Sequence, residues 1–302
     1  GVIWLLPQTR KASGRPLQLD PVGIVLFALM IMSLMWPFLF TTGSPDDDPN
    51  RWWLLIVFVL FAAAFFWWEK RYAASGRQPL IPFRMFRIPS FRNGTFVVVA
   101  YFTAIPPMFL LGTLFLQVGV GLEPVFAGMV SIGFAVASAV TSYYGGLLVA
   151  RFGRQLVTIG LATVLVSVVA LTIVAYTMPP ETVAYGMAAA LLVAGAGGGF
   201  VVSPNQTLTL SEIAVREGGL AGSVGQLGQR VGTAVGTAIG LSLFYATIYR
   251  ESDAGLESLA IFHDAYAYGM IAVGVFLALA TLVSVVDLVA TRRRGVTSPI
   301  SE

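Results

Sequence analysis

Few side chains in this sequence have the types and spacing that catalysis or metal binding requires. The 302 residues include no cysteine and a single histidine, His263, so disulfides, thiolate metal sites and cysteine nucleophiles are excluded. The patterns HExxH, GxxxxGK(S/T) and GxSxG are absent, and no group of histidines and acids has the spacing of a metal site. The sequence therefore predicts a protein that is not an enzyme, with no catalytic residue, no metal and no cofactor.

Three acidic side chains lie at the ends of apolar segments. Asp20 precedes the first apolar run, Glu69 ends the second, and Asp287 lies about one turn before the end of the last. Acids near the middle of a membrane span mark proton relays, whereas acids at its ends anchor the span at the interface. We therefore expect anchoring rather than proton transfer at all three. His263 is predicted to lie in a solvated loop beside Asp264, with a pH-sensing pair as the alternative.

Glycines recur at every fourth position in the stretch GQLGQRVGTAVGTAIG, residues 225–240, namely at Gly228, Gly232, Gly236 and Gly240. This spacing puts them on one helix face, where small side chains let a neighbouring backbone approach closely. The run Val231–Tyr249 is long enough to cross the hydrocarbon without the residues before it. We therefore expect Gln229 and Arg230 at the membrane boundary, at the mouth of a close-packed, movable helix. A charge buried in mid-membrane is the alternative.

The composition indicates an integral membrane protein. Hydrophobic residues make up 57% of the chain and charged residues 11%, and the mean hydropathy is +0.81, which leaves too little polar surface to cover a soluble domain. Eight apolar runs are long enough to cross about 30 Å of hydrocarbon as helices. These runs are Val22–Phe40, Trp52–Trp68, Thr95–Leu116, Val125–Val149, Leu156–Tyr176, Thr182–Val202, Val231–Tyr249 and Ala267–Ala290. The predicted fold class is all-α, a polytopic transmembrane helix bundle.

The distribution of basic residues predicts the orientation. Most of the 18 Lys and Arg residues fall on alternate connections between the runs, which places those connections and both ends of this chain in the cytoplasm. The other connections carry acidic stretches such as SPDDDPN at 44–50. We therefore expect a multi-pass protein of the cell membrane. The triplet RRR at 292–294 directly follows a span and is interpreted as a membrane anchor, not as a nucleic-acid contact.

Prolines interrupt one predicted span and close another. Pro106 and Pro107 lie within the third span, and Pro204 follows the sixth after the glycine run GAGGG at 195–199. Proline removes a backbone hydrogen bond, and such breaks are tolerated where the freed carbonyl groups face protein or water. Two interpretations stay open, because a moving, cavity-lining helix and a static kink require the same residues.

Three stretches together resemble the major facilitator superfamily, specifically its fourteen-helix drug:proton antiporters of bacterial, actinobacterial type. GGLLVARFGRQ at 145–155 looks like the second-half copy of the superfamily loop signature, with matches at Gly146, Arg151, Gly153 and Arg154. Ala150 stands at the acidic position of that signature, so the charge relay of the loop is not implied. The stretch 203–240, with its Gln-Arg pair, is similar to the corresponding segment of bacterial members, and 79–95 looks like the basic start of the seventh of the twelve shared helices.

The resemblance implies a division of the chain. Residues 1–7 would end a preceding helix, 20–68 would be an extra hairpin, 69–92 a basic cytoplasmic linker, 93–291 the complete second six-helix bundle, and 292–302 a cytoplasmic tail. The first six-helix bundle, with the acids assigned to proton coupling, would then be missing. The chain is therefore expected to be a fragment of a longer protein.

The resemblance also implies a function, proton-driven export of small amphipathic compounds by alternating access. The implied partners are the lipid bilayer, the missing N-terminal bundle of the same protein, a small amphipathic substrate and protons, with no nucleic acid. The third and sixth spans would line the cavity, and the candidate contacts on the substrate pathway are Tyr101, Gln117, Asn205 and Gln206. Two alternatives stay open: a non-transporting sensor or scaffold on the same helices, and a transporter of another substrate or direction.

Overall fold

The computed structural model of the chain describes residues 20–39, 48–77, 79–81, 83–252 and 258–293. The expectations for residues 1–7 and for the tail beyond residue 293 lie outside this part of the chain.

The described residues form nine α-helices and no strand. The helices are α1 (Pro21–Leu39), α2 (Leu54–Ala74), α3 (Pro89–Leu114), α4 (Pro124–Met129), α5 (Ile132–Phe152), α6 (Arg154–Thr177), α7 (Val183–Leu210), α8 (Gly218–Ser252) and α9 (Ser258–Arg293). Short 3₁₀ turns precede α2, α3 and α8, and a π-helical turn, Phe115–Gly119, continues α3. Eight helical segments are long and apolar enough to cross a membrane. The predicted all-α polytopic bundle is confirmed.

Several helices extend beyond the apolar runs that predict them. The clearest case is α8, which has 35 residues and begins at Gly218, whereas the predicted span begins at Val231. Once the apolar part of a helix is formed, each further residue adds one hydrogen bond at little cost, so small and polar residues continue it. At 1.5 Å per residue α8 is about 52 Å long, more than the hydrocarbon thickness.

The fourth predicted span is broken into two helices. α4 ends at Met129 and α5 begins at Ile132. Between them the Ser131 hydroxyl donates to the Gly128 carbonyl oxygen (2.7 Å). Such local bonds compete with the helical ladder, and the segment is therefore interrupted near its start.

The six helical spans of the bundle fall into two sets that exchange their first helices. The first set contains α3, α4–α5 and α6, and the second contains α7, α8 and α9. The first helix of each set packs against the other set, α3 against α8 and α9, and α7 against α5 and α6. Further contacts between α3 and α7 and between α6 and α9 join the sets. Gly94 near the start of α3 meets Asn205 near the end of α7, so these two helices run antiparallel and the sets form an inverted repeat.

The bundle has two ends with different chemistry. One end is formed by the starts of α1, α3, α6 and α8 and by the ends of α2, α5, α7 and α9, and we name it the basic end because Arg92, Arg151 and Arg154 lie there. At the opposite end, the hydroxyl of Tyr176 at the end of α6 donates to Asp264 near the start of α9.

The hairpin of α1 and α2 packs alongside the bundle through contacts between α1 and α8. At the basic end, Asp20 Oδ2 accepts a hydrogen bond from the Trp68 indole nitrogen (2.9 Å). Glu69, which is fully buried, accepts from the backbone nitrogens of Leu80 (3.2 Å) and Ile81 (3.0 Å). The two acids therefore tie the helix ends and the linker to each other, a position that suits the expected anchoring role.

Candidate functional site

A cleft of about 380 Å³ lies between α3, α7 and α8, towards the basic end. We name it the amide cleft after its polar lining, which consists of Thr95, Asn205, Gln206, Thr207, Thr209, Gln226 and Gln229. The Thr95 hydroxyl is buried without a hydrogen-bond partner among the described residues, so it offers a donor and an acceptor to a bound molecule. Val98 and Leu210 add apolar wall, and none of the described lining residues is charged. The cleft therefore suits uncharged polar groups on an otherwise apolar molecule.

Asn205 holds α7 against α3 at the inner edge of this cleft. Its side-chain nitrogen donates to the Gly94 carbonyl oxygen (2.9 Å). Its backbone carbonyl oxygen accepts from the Thr209 hydroxyl (2.6 Å). Gly94 permits the contact, because a Cβ atom there would collide with the Thr209 hydroxyl. Asn205 thus has a positioning role in the helix crossing as well as a place in the cleft wall.

The amides on α8 come together through helical spacing. Gly225, Gln226 and Gln229 lie three, four and seven residues after Gly222, so the four residues share one helix face, and this face lines the cleft. The structure therefore places Gln229 in the lining of the same cleft as Asn205 and Gln206. Sequence reasoning missed Thr95 and Gln226, although the spacing of Gln226 from Gln229 was a usable signal.

Tyr101 and Gln117, the other two candidates on the substrate pathway, lie outside the amide cleft. Tyr101 is buried deeper along α3, where its hydroxyl faces Gly198 of α7. Gln117 belongs to the π-helical turn at the opposite end of α3 and is half-buried there. The four candidates are therefore spread along the bundle and do not form one group.

Arg230 lies inside a helix rather than at the start of one. α8 begins at Gly218, before the predicted span, so Arg230 lies about 18 Å along the helix. The side chain is exposed and follows Gln226 by one turn on the same face. Arg230 therefore continues the row of polar residues beyond the amide cleft. Its position at the membrane boundary stays a prediction.

The four glycines of the ridge lie against α3 at matched four-residue steps. A Cβ atom on Gly228 would lie 2.6 Å from the Val99 side chain, and one on Gly240 would lie 3.2 Å from the Pro107 ring. Between them, Gly232 faces the Val99 carbonyl and Gly236 faces that of Thr103. Larger side chains would separate the two helices, so these glycines set the α3–α8 distance.

The contact between α3 and α8 also covers two backbone carbonyl groups that the prolines of α3 leave without a helical hydrogen bond. Pro106 and Pro107 have no N–H to give to the residues four positions earlier, Phe102 and Thr103. The Thr233 hydroxyl of α8 approaches the Phe102 carbonyl oxygen (3.3 Å), and the Thr103 carbonyl lies against Gly236. The break in α3 is therefore buried in protein. In α7, the ring of Pro204 lies 3.2 Å from the position of a Cβ atom on Gly145 of α5.

The glycine run 195–199 lies where three helices meet α7. A Cβ atom on Gly197 would lie 2.7 Å from the Gly160 carbonyl oxygen of α6, and Gly198 faces Tyr101 of α3. Gly195 faces the backbone of Phe134 in α5. The run serves close helix packing.

The loop signature between α5 and α6 supplies an ion pair at the basic end. Gly153, with φ of +48° and ψ of −121°, lets the chain turn directly from α5 into α6. Arg154 then pairs with Asp287 of α9, which also accepts from the Asn93 side-chain nitrogen (2.7 Å). Asp287 thus gives the signature arginine an acidic partner from a distant helix, where Ala150 gives none. The remaining matches of the signature differ in surroundings: Gly146 lies in α5 facing Ser203, and Arg151 is exposed.

The expectation that His263 lies in a solvated loop is wrong. α9 begins at Ser258, so the histidine lies in its second turn. The imidazole is half-buried between the rings of Phe115 and Tyr176, with centroid distances of 5.6 and 5.3 Å. The mixed polar and apolar sequence before Ala267 forms the first turns of a helix that extends past the apolar run.

The comparisons with known proteins point to transport. No family model matches the chain. Over 258 residues the chain is 26% identical to a protein of Streptomyces coelicolor named as a probable actinorhodin transporter. The match covers 85% of this chain and 44% of that protein, so the chain spans less than half of its length. Similarity to a transporter and a multi-pass membrane helix bundle together support a transport role.

Proposed function

We propose that the chain is the C-terminal part of a proton-coupled efflux transporter of the major facilitator type, which exports small amphipathic molecules by alternating access. The single observation that carries the proposal is the exchange of α3 and α7 between two inverted three-helix sets, with a polar cleft beside both helices. Inverted repeats with a binding site near their interface are the architecture of alternating-access transporters. The length of the transporter relative supports a second part of similar size.

The amide cleft is proposed as this part's contribution to the substrate site. Side-chain amides both donate and accept hydrogen bonds, so Gln206, Gln226 and Gln229 can turn to suit different polar groups. Apolar walls accept many shapes with little specificity. A site of this kind fits small amphipathic substrates better than ions, since none of the described lining residues is charged.

The exposed apolar faces of α5 are proposed to contact the missing bundle or lipid. Val136, Val140 and Leu147 repeat along one side of α5 and are 60%, 51% and 62% exposed. Exposed apolar faces of this extent require a protein or lipid neighbour. The basic end is proposed to face the cytoplasm, with the protein in the cell membrane, because Lys and Arg concentrate on cytoplasmic connections.

The proposal predicts that glutamines in the cleft set substrate preference. In the longer protein, Gln206→Ala and Gln229→Ala are expected to change the relative efflux rates of a panel of amphipathic dyes by roughly five- to tenfold, the effect of about one hydrogen bond. Efflux from cells is measured together with the amount of protein in the membrane.

Gln117→Ala is the matched control, because this glutamine lies at the opposite end of α3 and outside the cleft. Its efflux profile should stay close to that of the wild type. A profile that changes with Gln117→Ala and not with the two cleft variants would reject the amide cleft as the substrate site.

A further inference from the structure

A second cleft, of about 340 Å³, opens at the basic end and shares no lining residue with the amide cleft. It lies between the starts of α3 and α6, the end of α5 and the ends of α7 and α9. Three arginines, Arg92, Arg151 and Arg154, are among its lining residues. Two carboxylates, Asp287 and Glu212, also line it, so positive charge is in excess.

Two of the three arginines, Arg92 and Arg151, have no ion pair among the described residues, and with Glu212 in the lining the cleft keeps one positive charge in excess. Arg154 is neutralised by Asp287. Arg92 donates from Nε to the Asn93 amide oxygen (3.1 Å), and Arg151 lies over the Phe152 ring at 5.3 Å, but neither has a carboxylate within ion-pair distance among the described residues. Both keep N–H groups free to bind the oxygen atoms of an anion.

A buried hydroxyl group in the lining of this cleft has no hydrogen-bond partner among the described residues. Ser90 is 1% exposed and lines the cleft, and its Oγ has no hydrogen-bond partner among the described residues. A buried hydroxyl without a partner is unfavourable, and an anion oxygen would satisfy it. Ser90 also lies in the first turn of α3, where backbone N–H groups lack helical partners and favour negative charge.

An exposed apolar strip on α9 adjoins the cleft. Val286, which lines the cleft, is 59% exposed, and Leu282 and Val289 lie on the same face of α9 at 59% and 43% exposure. The exposed strip runs from the cleft along the membrane span of α9. Basic pockets between membrane helices bind anionic lipid head groups, and a strip of this kind can contact acyl chains below the head group.

We propose that this cleft binds the phosphate group of an anionic phospholipid, held by Arg92, Arg151 and Ser90, with its acyl chains along the exposed strip of α9. The lipid comes from the leaflet that surrounds the basic end. The apolar strip favours a phospholipid over free phosphate, since free phosphate has no group to place there. The identity of any transported compound does not enter this proposal.

Lipid retention by the purified full chain tests the proposal. Native mass spectrometry in detergent would measure binding of phosphatidylglycerol, with phosphatidylcholine as the zwitterionic comparison. Arg92→Gln and Arg151→Gln are each expected to weaken phosphatidylglycerol binding about fivefold, the effect of one arginine near an anionic surface. Ser90→Ala is expected to weaken it without a change in net charge.

Arg87→Gln is the matched control, because this arginine is also exposed near the basic end and does not line the cleft. Its lipid retention should equal that of the wild type. Equal losses in Arg87→Gln and Arg92→Gln would mean unspecific surface attraction and would overturn the proposal. Equal retention of the two lipids would overturn it, and so would release of phosphatidylglycerol by millimolar inorganic phosphate, which would assign the cleft to free phosphate.

Discussion

Arg154 and Asp287 form an ion pair at the basic end, and its contribution to the free energy of unfolding can be tested. Their side chains are 18% and 11% exposed, so both charges are largely removed from solvent and the ion pair compensates part of that cost. Asp287→Asn would remove the ion-pair partner of the partly buried arginine, which then keeps only the attraction of Glu212. We expect a loss in the free energy of unfolding on the order of 3 kcal/mol, since removing one partner of a buried pair is strongly destabilising. Denaturant unfolding of the purified chain in detergent measures it.

A second substitution distinguishes a charge effect from a packing effect. Arg154→Gln combined with Asp287→Asn removes both charges and should recover part of the lost stability. Glu181→Gln, at an exposed position, is the control and should change the free energy of unfolding by less than about 0.5 kcal/mol. A double variant as unstable as the sum of the two single variants would contradict the ion-pair account.

Single residues also show what the sequence could not predict. The positions of Asp20, Glu69 and Asp287 near helix ends follow from where the apolar runs stop. Their partners do not, because Asp287 meets Asn93 across 194 positions of sequence, and only the packed helices bring the two together. The same reason explains why Thr95 was missed as part of the amide cleft.

At the scale of helices, the glycine ridge of α8 sets the distance to α3. Gly236→Ala would place a methyl group against the Thr103 carbonyl oxygen, which is backbone and cannot rotate away. We expect a loss of roughly 2 kcal/mol, because overpacking forces a backbone shift that exceeds the helix propensity gained by alanine. The melting temperature of the detergent-solubilised chain measures this loss.

Gly222→Ala in the same helix is the matched control, since nothing lies within 4 Å of its Cβ position. Alanine there should raise stability by about 0.5–1 kcal/mol through helix propensity alone. If both variants raised stability equally, the close α3–α8 contact would not exist in solution.

The helices themselves could be predicted and their ends could not. Hydrophobic length identifies a membrane span, and each of the eight apolar runs corresponds to a helical segment of membrane length, although the fourth is interrupted between Met129 and Ile132. The first turns of α8 and α9 contain small, polar and charged residues that hydrophobicity places outside a span. They are helical because they continue an existing helix, so Arg230 and His263 lie within helices rather than beside them.

At the scale of the whole molecule, the exchange of α3 and α7 between the two three-helix sets is a property that no single stretch of sequence contains. The resemblance of short motifs implies this fold, but the pairing of α3 with α8 and α9 appears only in three dimensions. The exchange makes α3 and α7 the helices that connect both sets. The hydrogen bond between Asn205 and Gly94 lies at the crossing of these two helices, and Asn205 also lines the amide cleft.

The proposed proton-driven transport is tested most directly by dye accumulation in everted membrane vesicles that contain the proposed longer protein. With an imposed gradient, acidic inside, the longer protein should accumulate a fluorescent amphipathic dye and release it when a protonophore dissipates the gradient. Vesicles that contain only residues 1–302 should accumulate none. Accumulation that persists without the gradient would contradict proton coupling, and gradient-driven accumulation by residues 1–302 alone would contradict the need for a second bundle.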